Sequence, residues 1–142
     1  MPELKERILD IVKTPVLAGL ATTTKDGKPW TRYVIVEASD DLTFRCSSFA
    51  NARKVAQIAS NPEVHLTCGS NGPTNMGPYL QIQGRAEFRT DPETRYSFWS
   101  DRLAALFVGP DNPNYGVVVT TAYRIELCHV GIEPEFWERV SP

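Results

Sequence analysis

The amino-acid sequence predicts a mainly β fold: a six-stranded antiparallel β-barrel with a few capping helices. Three observations predict it. Short runs of alternating or small apolar residues recur between turn signals from Val16 onward. Only three stretches carry apolar residues at helical spacing or a helix-start signature. Strands in this number would leave open edges, and closure into a barrel removes them. At 142 residues, with no internal repeat and no linker, the chain is expected to form one domain over residues 1–142 with its own core.

The elements follow in order. Leu4, Ile8, Ile11 and Val12 fall at i, i+4, i+7 and i+8, one apolar stripe on a charged helix. Thr14-Pro15 ends it, since proline pushes the preceding residue out of helical geometry. Residues 16–24, small apolar residues and threonines, make a first strand, and Asp26-Gly27 marks a hairpin because both tolerate positive φ. The second strand, 29–37, places Tyr33 and Ile35 on one face and Arg32, Val34 and Val36 on the other. Ser39-Asp40-Asp41 turns the chain into a third strand, 42–46. Ala52, Val55, Ala56 and Ala59 recur at helical spacing, and Asn61-Pro62 closes that second helix. A fourth strand spans 64–68, a loop rich in turn residues 69–78, and a fifth strand 79–89 with Leu80, Ile82, Gly84 and Ala86 inward. Asp91-Pro92 starts a helical region expected to run to Phe107. Residues 109–114 are loop and 115–126 a long last strand, after which the tail ends in Phe136-Trp137-Glu138-Arg139.

Fifteen basic and seventeen acidic side chains leave a formal charge of −2, which argues against the broad positive field of a nucleic-acid binder. The segment from Met1 to Arg7 is charged and lacks the apolar stretch of a signal peptide. No run approaches the roughly eighteen apolar residues that span a bilayer. Cys46, Cys68 and Cys128 are odd in number and widely spaced, so they define no disulfide framework. Neither they nor His65 and His129 show metal-ligand spacing. The expectation is a cytoplasmic protein with no metal, no nucleic-acid partner and no membrane partner.

One stretch carries candidate chemistry. Ser47 and Ser48 lie at the end of the third strand, just past Cys46, and Arg53 and Lys54 occupy the first turn of the next helix. Unpaired backbone N–H groups and the positive end of a helix favour an anion there. Cations are disfavoured in a first turn, so an Arg-Lys pair fits neutralisation of a bound phosphate as well as it fits a solvated helix end. Arg32, flanked in the chain by Trp30 and Tyr33, fits either a phosphate or ring-edge ligand or a surface charge. His65 alternates with Val64 and Leu66 and is expected to face outward. Cys46 reads as a small buried thiol, and Trp99 and Phe107 as core closers.

The order Leu20-Ala21-Thr22, Asp26-Gly27-Lys28-Pro29, Arg32, Ser47-Ser48, Arg53-Lys54-Val55, Asn61-Pro62-Glu63-Val64 and Gln83-Gly84-Arg85-Ala86-Glu87 resembles the pyridoxamine 5′-phosphate oxidase-like FMN-binding split barrels. Within that superfamily the likeness is to the small general stress protein 26-type members, whose helix and loop are matched by Trp99, Phe107, Gly109, Asp111, Asn112 and Pro113. It extends from about Leu4 to Glu126. The resemblance implies a split barrel that binds FMN at the interface of a homodimer. Arg32, Tyr33, Val34 and Ile35 would line the flavin, and Ser47, Ser48, Arg53 and Lys54 would surround its phosphate, with Gln81 or Gln83 approaching the ring. Two features depart from the oxidases proper. Ala52 stands where they carry a serine or similar residue, and Trp137 and Arg139 only loosely match their arginine-bearing substrate motif.

The resemblance therefore implies a flavin-dependent oxidoreductase acting on a small-molecule redox substrate, without naming that substrate. Two other functions stay open: a non-enzymatic flavin-binding or stress-response protein, and the same barrel binding F420 or haem.

Overall fold

A computed structural model describes residues 2–70, 72–74 and 76–140; Met1, and Asn71 and Asn75 of the predicted loop, lie outside the described residues. Six strands run antiparallel in the order β3-β2-β1-β4-β5-β6, and β3 pairs with β6 to close the barrel. The strands are β1 (Val16–Thr23), β2 (Pro29–Ala38), β3 (Thr43–Phe49), β4 (Glu63–Cys68), β5 (Tyr79–Arg89) and β6 (Tyr115–His129). Helix α1 (Leu4–Ile11) precedes them, and α2 (Arg53–Ser60) joins β3 to β4. The fold class stands as the sequence predicts it and all six predicted strands are present, with β3 running on to Phe49 and β6 to His129, beyond their expected ends at 46 and 126.

Local chemistry explains the joints. The β1–β2 hairpin closes on a three-residue loop in which Thr24 N–H donates to Lys28 O at 2.8 Å and Gly27 sits at φ 82°. That left-handed position is the one a turn of this length assigns to glycine. On β5, Gly84 marks a bulge where β6 inserts Tyr123 between the partners of Gln83 and Gly84. A Cβ on Gly84 would meet Thr120 Cγ2 at 2.7 Å and Thr121 O at 2.9 Å, so no larger residue fits without movement. The extra residue also shifts the pleat of β6. Val118, Thr120 and Ala122 face the interior before it, and Ile125 and Leu127 after it.

The main core fills the barrel, with Leu20, Phe44, Leu66, Leu80, Ile82 and Ile125 essentially inaccessible. A second core lies outside it, against the outward side of β6: Tyr115 and Val117 pack with Phe98, Leu103 and Phe107. Here the sequence expectation needs correction. The stretch from Asp91 to Phe107 is not continuous: α3 (Pro92–Phe98) stops at Trp99, a 3-10 turn covers Asp101–Leu103, and α4 (Ala104–Phe107) follows. In one unbroken helix Phe98, Leu103 and Phe107 would spread around half the circumference. The extended Trp99 and Ser100 (ψ 138° and 160°) let all three face Tyr115. The start is as predicted, with Asp91 accepting from Thr94 N–H and Pro92 opening the helix.

The tail also differs from its reading. Residues Ile132–Glu138 form β7, which pairs with β6 over Arg124–His129. β3 takes the same edge of β6 over Tyr115–Thr121, so the length of β6 serves two partners in tandem. The strand was not legible because its burial pattern is almost wholly exposed and Pro134 interrupts it. Beyond it, Arg139 donates from Nε to Ala122 O at 2.7 Å and from Nη2 to Asp41 O at 2.7 Å, clasping the β2–β3 turn.

Candidate functional site

The barrel is incompletely zipped between β2 and β3. They share only the pairs Glu37–Arg45 and Ala38–Phe44, after which β2 stays with β1 and β3 with β6. The divergence leaves the β3-facing edge of residues 33–35 without a ladder partner. A groove of about 550 Å³ opens there, and Tyr33, Val34, Ile35, Ser47, Ser48 and Lys54 all line it. Six of the eight residues singled out in the sequence thus come together.

The other two stand apart from it. Arg53 is exposed and stacks over the Trp30 ring at 5.4 Å. Arg32 is held at the end of the barrel under α2. Its Nη1 donates to Thr22 Oγ1 at 2.7 Å and to the carbonyls of Leu20 and Trp30 at 3.1 Å, and its Nη2 to Gln57 Oε1 at 2.9 Å. Gln81 and Gln83 point outward on β5 and are exposed, away from the groove. His65 is outward as expected, and the three cysteines are free and buried. Arg45 lies against α3, its guanidinium 5.5 Å from the Phe98 ring.

The electrostatics of the groove are one-sided. Lys54 is half-buried and makes no salt bridge among the described residues, and Arg32 and Arg53 also make none. Burial pushes the Lys54 ammonium below its ordinary range, and repulsion from Arg32 adds to the effect. Burial, then repulsion from Arg53, lowers the Arg32 guanidinium in the same way. Cys46 is pushed up to about 11 by burial, against the pull of Lys54 and Arg32, so it stays a neutral thiol. No side chain caps the N-terminus of α2, which begins at Arg53 after Ala52. A desolvated ammonium, two serines and an uncapped helix end are the kinds of group that favour an anion.

Sequence reasoning missed the opposite wall. Leu17 of β1 and the segment carrying Arg102, Leu103 and Leu106 also line the groove. Arg102 is fixed there by an ion pair to Glu37 at 2.7 Å. Leu106 and Arg102 give no signal in the sequence, because a helical region running from Asp91 to Phe107 does not by itself place them against β2 and β3. A second groove of about 700 Å³ adjoins the first, sharing Leu17 and Tyr33 and continuing over Gly19, Thr31, Thr67 and Met76. Arg139, the loose match to a substrate arginine, is committed to carbonyls of its own chain.

Comparison with known proteins agrees with this architecture. General stress protein 26 of Bacillus subtilis (strain 168) is 29% identical over 129 residues, 91% of each chain. A pyridoxine/pyridoxamine 5′-phosphate oxidase of Trichormus variabilis is 30% identical over 86 residues, 61% of this chain and 39% of the oxidase. Among solved structures, General Stress Protein 26 from Bacillus anthracis str. Sterne superposes with a TM-score of 0.81 at 25% identity, covering 96% of this chain and 98% of that one. An F420 reductase (TM-score 0.65, 21% identity, 88% and 98% covered) and a haem-binding protein from Mycobacterium smegmatis (0.78, 18%, 97% and 59%) share the fold. Residues 4–129 match the family described as Pyridoxamine 5′-phosphate oxidase, and the chain belongs to this family.

Proposed function

We propose that the groove between β2 and β3 binds FMN, that a second copy of the chain covers it, and that the homodimer is a flavin-dependent oxidoreductase. The observation that carries this reading is Lys54: a half-buried ammonium with no carboxylate partner among the described residues, lining the same groove as Ser47 and Ser48, whose other walls are apolar or aromatic apart from Arg102. A phosphate ester with a flat, largely apolar body fits that polarity. The phosphate would lie against Ser47, Ser48 and Lys54, with Arg53 and Arg32 adding positive field. The unpaired edge of β2 at Tyr33, Val34 and Ile35 would meet the polar rim of the ring with backbone groups. When bound, flavin supplies the hydride or electron transfer, and the protein supplies the anion clamp, orientation and exclusion of water.

The second copy is inferred from what the groove lacks. Leu17, Tyr33 and Ile35 are strongly exposed and form its outer rim. An apolar body lying there would stay wet on one side without a partner. Neither described histidine lines the groove, which favours flavin over haem. Arg139 being occupied argues against pyridoxamine phosphate as the substrate and leaves a different redox substrate.

The test is the visible absorption spectrum of the purified protein titrated with FMN, alongside Lys54→Ala and a sedimentation measurement. Saturable uptake by a dimer, weakened at least tenfold in Lys54→Ala, supports the reading. A folded protein that takes up haem or F420 and no FMN overturns it. Uptake without reduction by any nicotinamide donor would leave the binding half and remove the enzymatic half.

A further inference from the structure

The triangle of Thr22, Arg32 and Gln57 is built from neutral acceptors around a cation. Thr22 is buried, and its Oγ1 accepts from Arg32 Nη1 while donating to Gln57 Oε1. Gln57 Oε1 accepts from Arg32 Nη2 as well. Among the described residues, every hydrogen bond Arg32 makes goes to a carbonyl, a hydroxyl or an amide oxygen. A half-buried arginine is ordinarily stabilised by a carboxylate, which matches its fork and cancels its charge. A glutamate at position 57 would offer that partner without altering the reach of the side chain. The cation is instead held in place and left unneutralised.

Its position makes this consequential. Gln57 lies on α2 one turn beyond Arg53 and Lys54, so the same contact ties the helix to β1 and β2. Arg32 sits near enough to both cations for each pair to repel. Such repulsion is unfavourable in the free protein and is relieved when a dianion arrives. We propose that Gln57 is a positioning residue that keeps the anion site charged: its amide oxygen fixes Arg32 and α2 while leaving the uncancelled charges of Arg32 and Arg53 to add their field to that of Lys54 at a phosphoryl group. The inference deepens the reading of the groove as a phosphate-ester site and rests on it only in that respect.

Gln57→Glu separates this role from a purely structural one. The variant keeps the acceptor oxygen and adds a carboxylate beside the guanidinium. Expected are a higher melting temperature for the free protein, a loss of affinity for FMN on the order of tenfold or more, and a shallower dependence of binding on salt. Inorganic phosphate, compared with chloride at equal ionic strength, should raise the melting temperature of the native chain more than that of Gln57→Glu. Gln57→Met, neutral but without the acceptor, should lose stability and affinity together. A Gln57→Glu protein that binds FMN and responds to phosphate as the native chain does overturns the proposal, whatever its stability. Should Gln57→Glu fail to fold, a Gln57→Met protein that folds and binds both probes unchanged overturns it equally. Phosphate stabilisation that depends on Gln57 in a chain taking up no flavin would instead retain the charged anion site and reject FMN as its occupant.

Discussion

Two outward faces of the same barrel have similar residues and opposite fates. On β6, Tyr115 and Val117 point out of the barrel and are fully inaccessible, because α3 and α4 lie over them. On β1 and β2, Leu17, Tyr33 and Ile35 point out and are 62%, 79% and 47% exposed. The chain therefore covers one apolar face itself and leaves the other uncovered, beside the groove. Side-chain character does not tell the two apart; what differs is whether a later segment of the chain returns to the face.

The largest effect should come from the covered face. Phe107 touches Tyr115 and Phe49, with ring centroids 4.8 and 4.6 Å apart, so Phe107→Ala should lower unfolding free energy by about 3–5 kcal/mol in chemical denaturation. Alkaline pH should weaken the interior next. Burial raises the Cys46 and Cys68 thiols to about 11, above their unfolded values, so the folded chain holds protons that the unfolded chain has lost. Stability is then complete below about pH 9 and falls as pH rises toward 11, by about 2–3 kcal/mol per thiol. Cys46→Ser and Cys68→Ser should flatten that fall in a pH series of denaturation midpoints. Between the faces, Arg139→Met removes the clasp on Ala122 and Asp41 and should cost about 1–3 kcal/mol. The uncovered face should respond least: Tyr33→Asp should change single-chain stability by about 0.5 kcal/mol or less, yet shift sedimentation toward monomer. A Tyr33→Asp protein as destabilised as Phe107→Ala would mean that the chain covers both faces.

The legible parts of this fold share a physical cause. β5 could be read because its pleat is uninterrupted, with Leu80, Ile82, Gly84 and Ala86 inward. β7 could not, since Trp137 alone among its residues is even partly buried and periodicity has almost nothing to report. The break at Trp99 was invisible because α3 and α4 are bent by what they pack against, and Tyr115 lies sixteen positions away from that break in the chain. Within the site, Ser47, Ser48 and Lys54 were found because they are close in sequence, on either side of one connection. Leu17 and Arg102 were missed because their place in the groove depends on the splitting of β2 from β3, a property of pairing rather than of composition. Arg32, which the sequence leaves open between a ligand-facing and a surface charge, is gripped by its own chain and borders the second groove.

The closure of β3 onto β6 sets an order of events during synthesis. β3 is complete at Phe49, but its partner begins only at Tyr115, so that edge stays open while 65 intervening residues are made. Until β6 emerges, the nascent chain can hold its local hairpin but cannot seal the barrel. Contacts this distant in sequence make folding slow and leave an unpaired strand available to neighbours. Truncation anywhere before β6 should therefore yield an aggregating fragment rather than a smaller barrel.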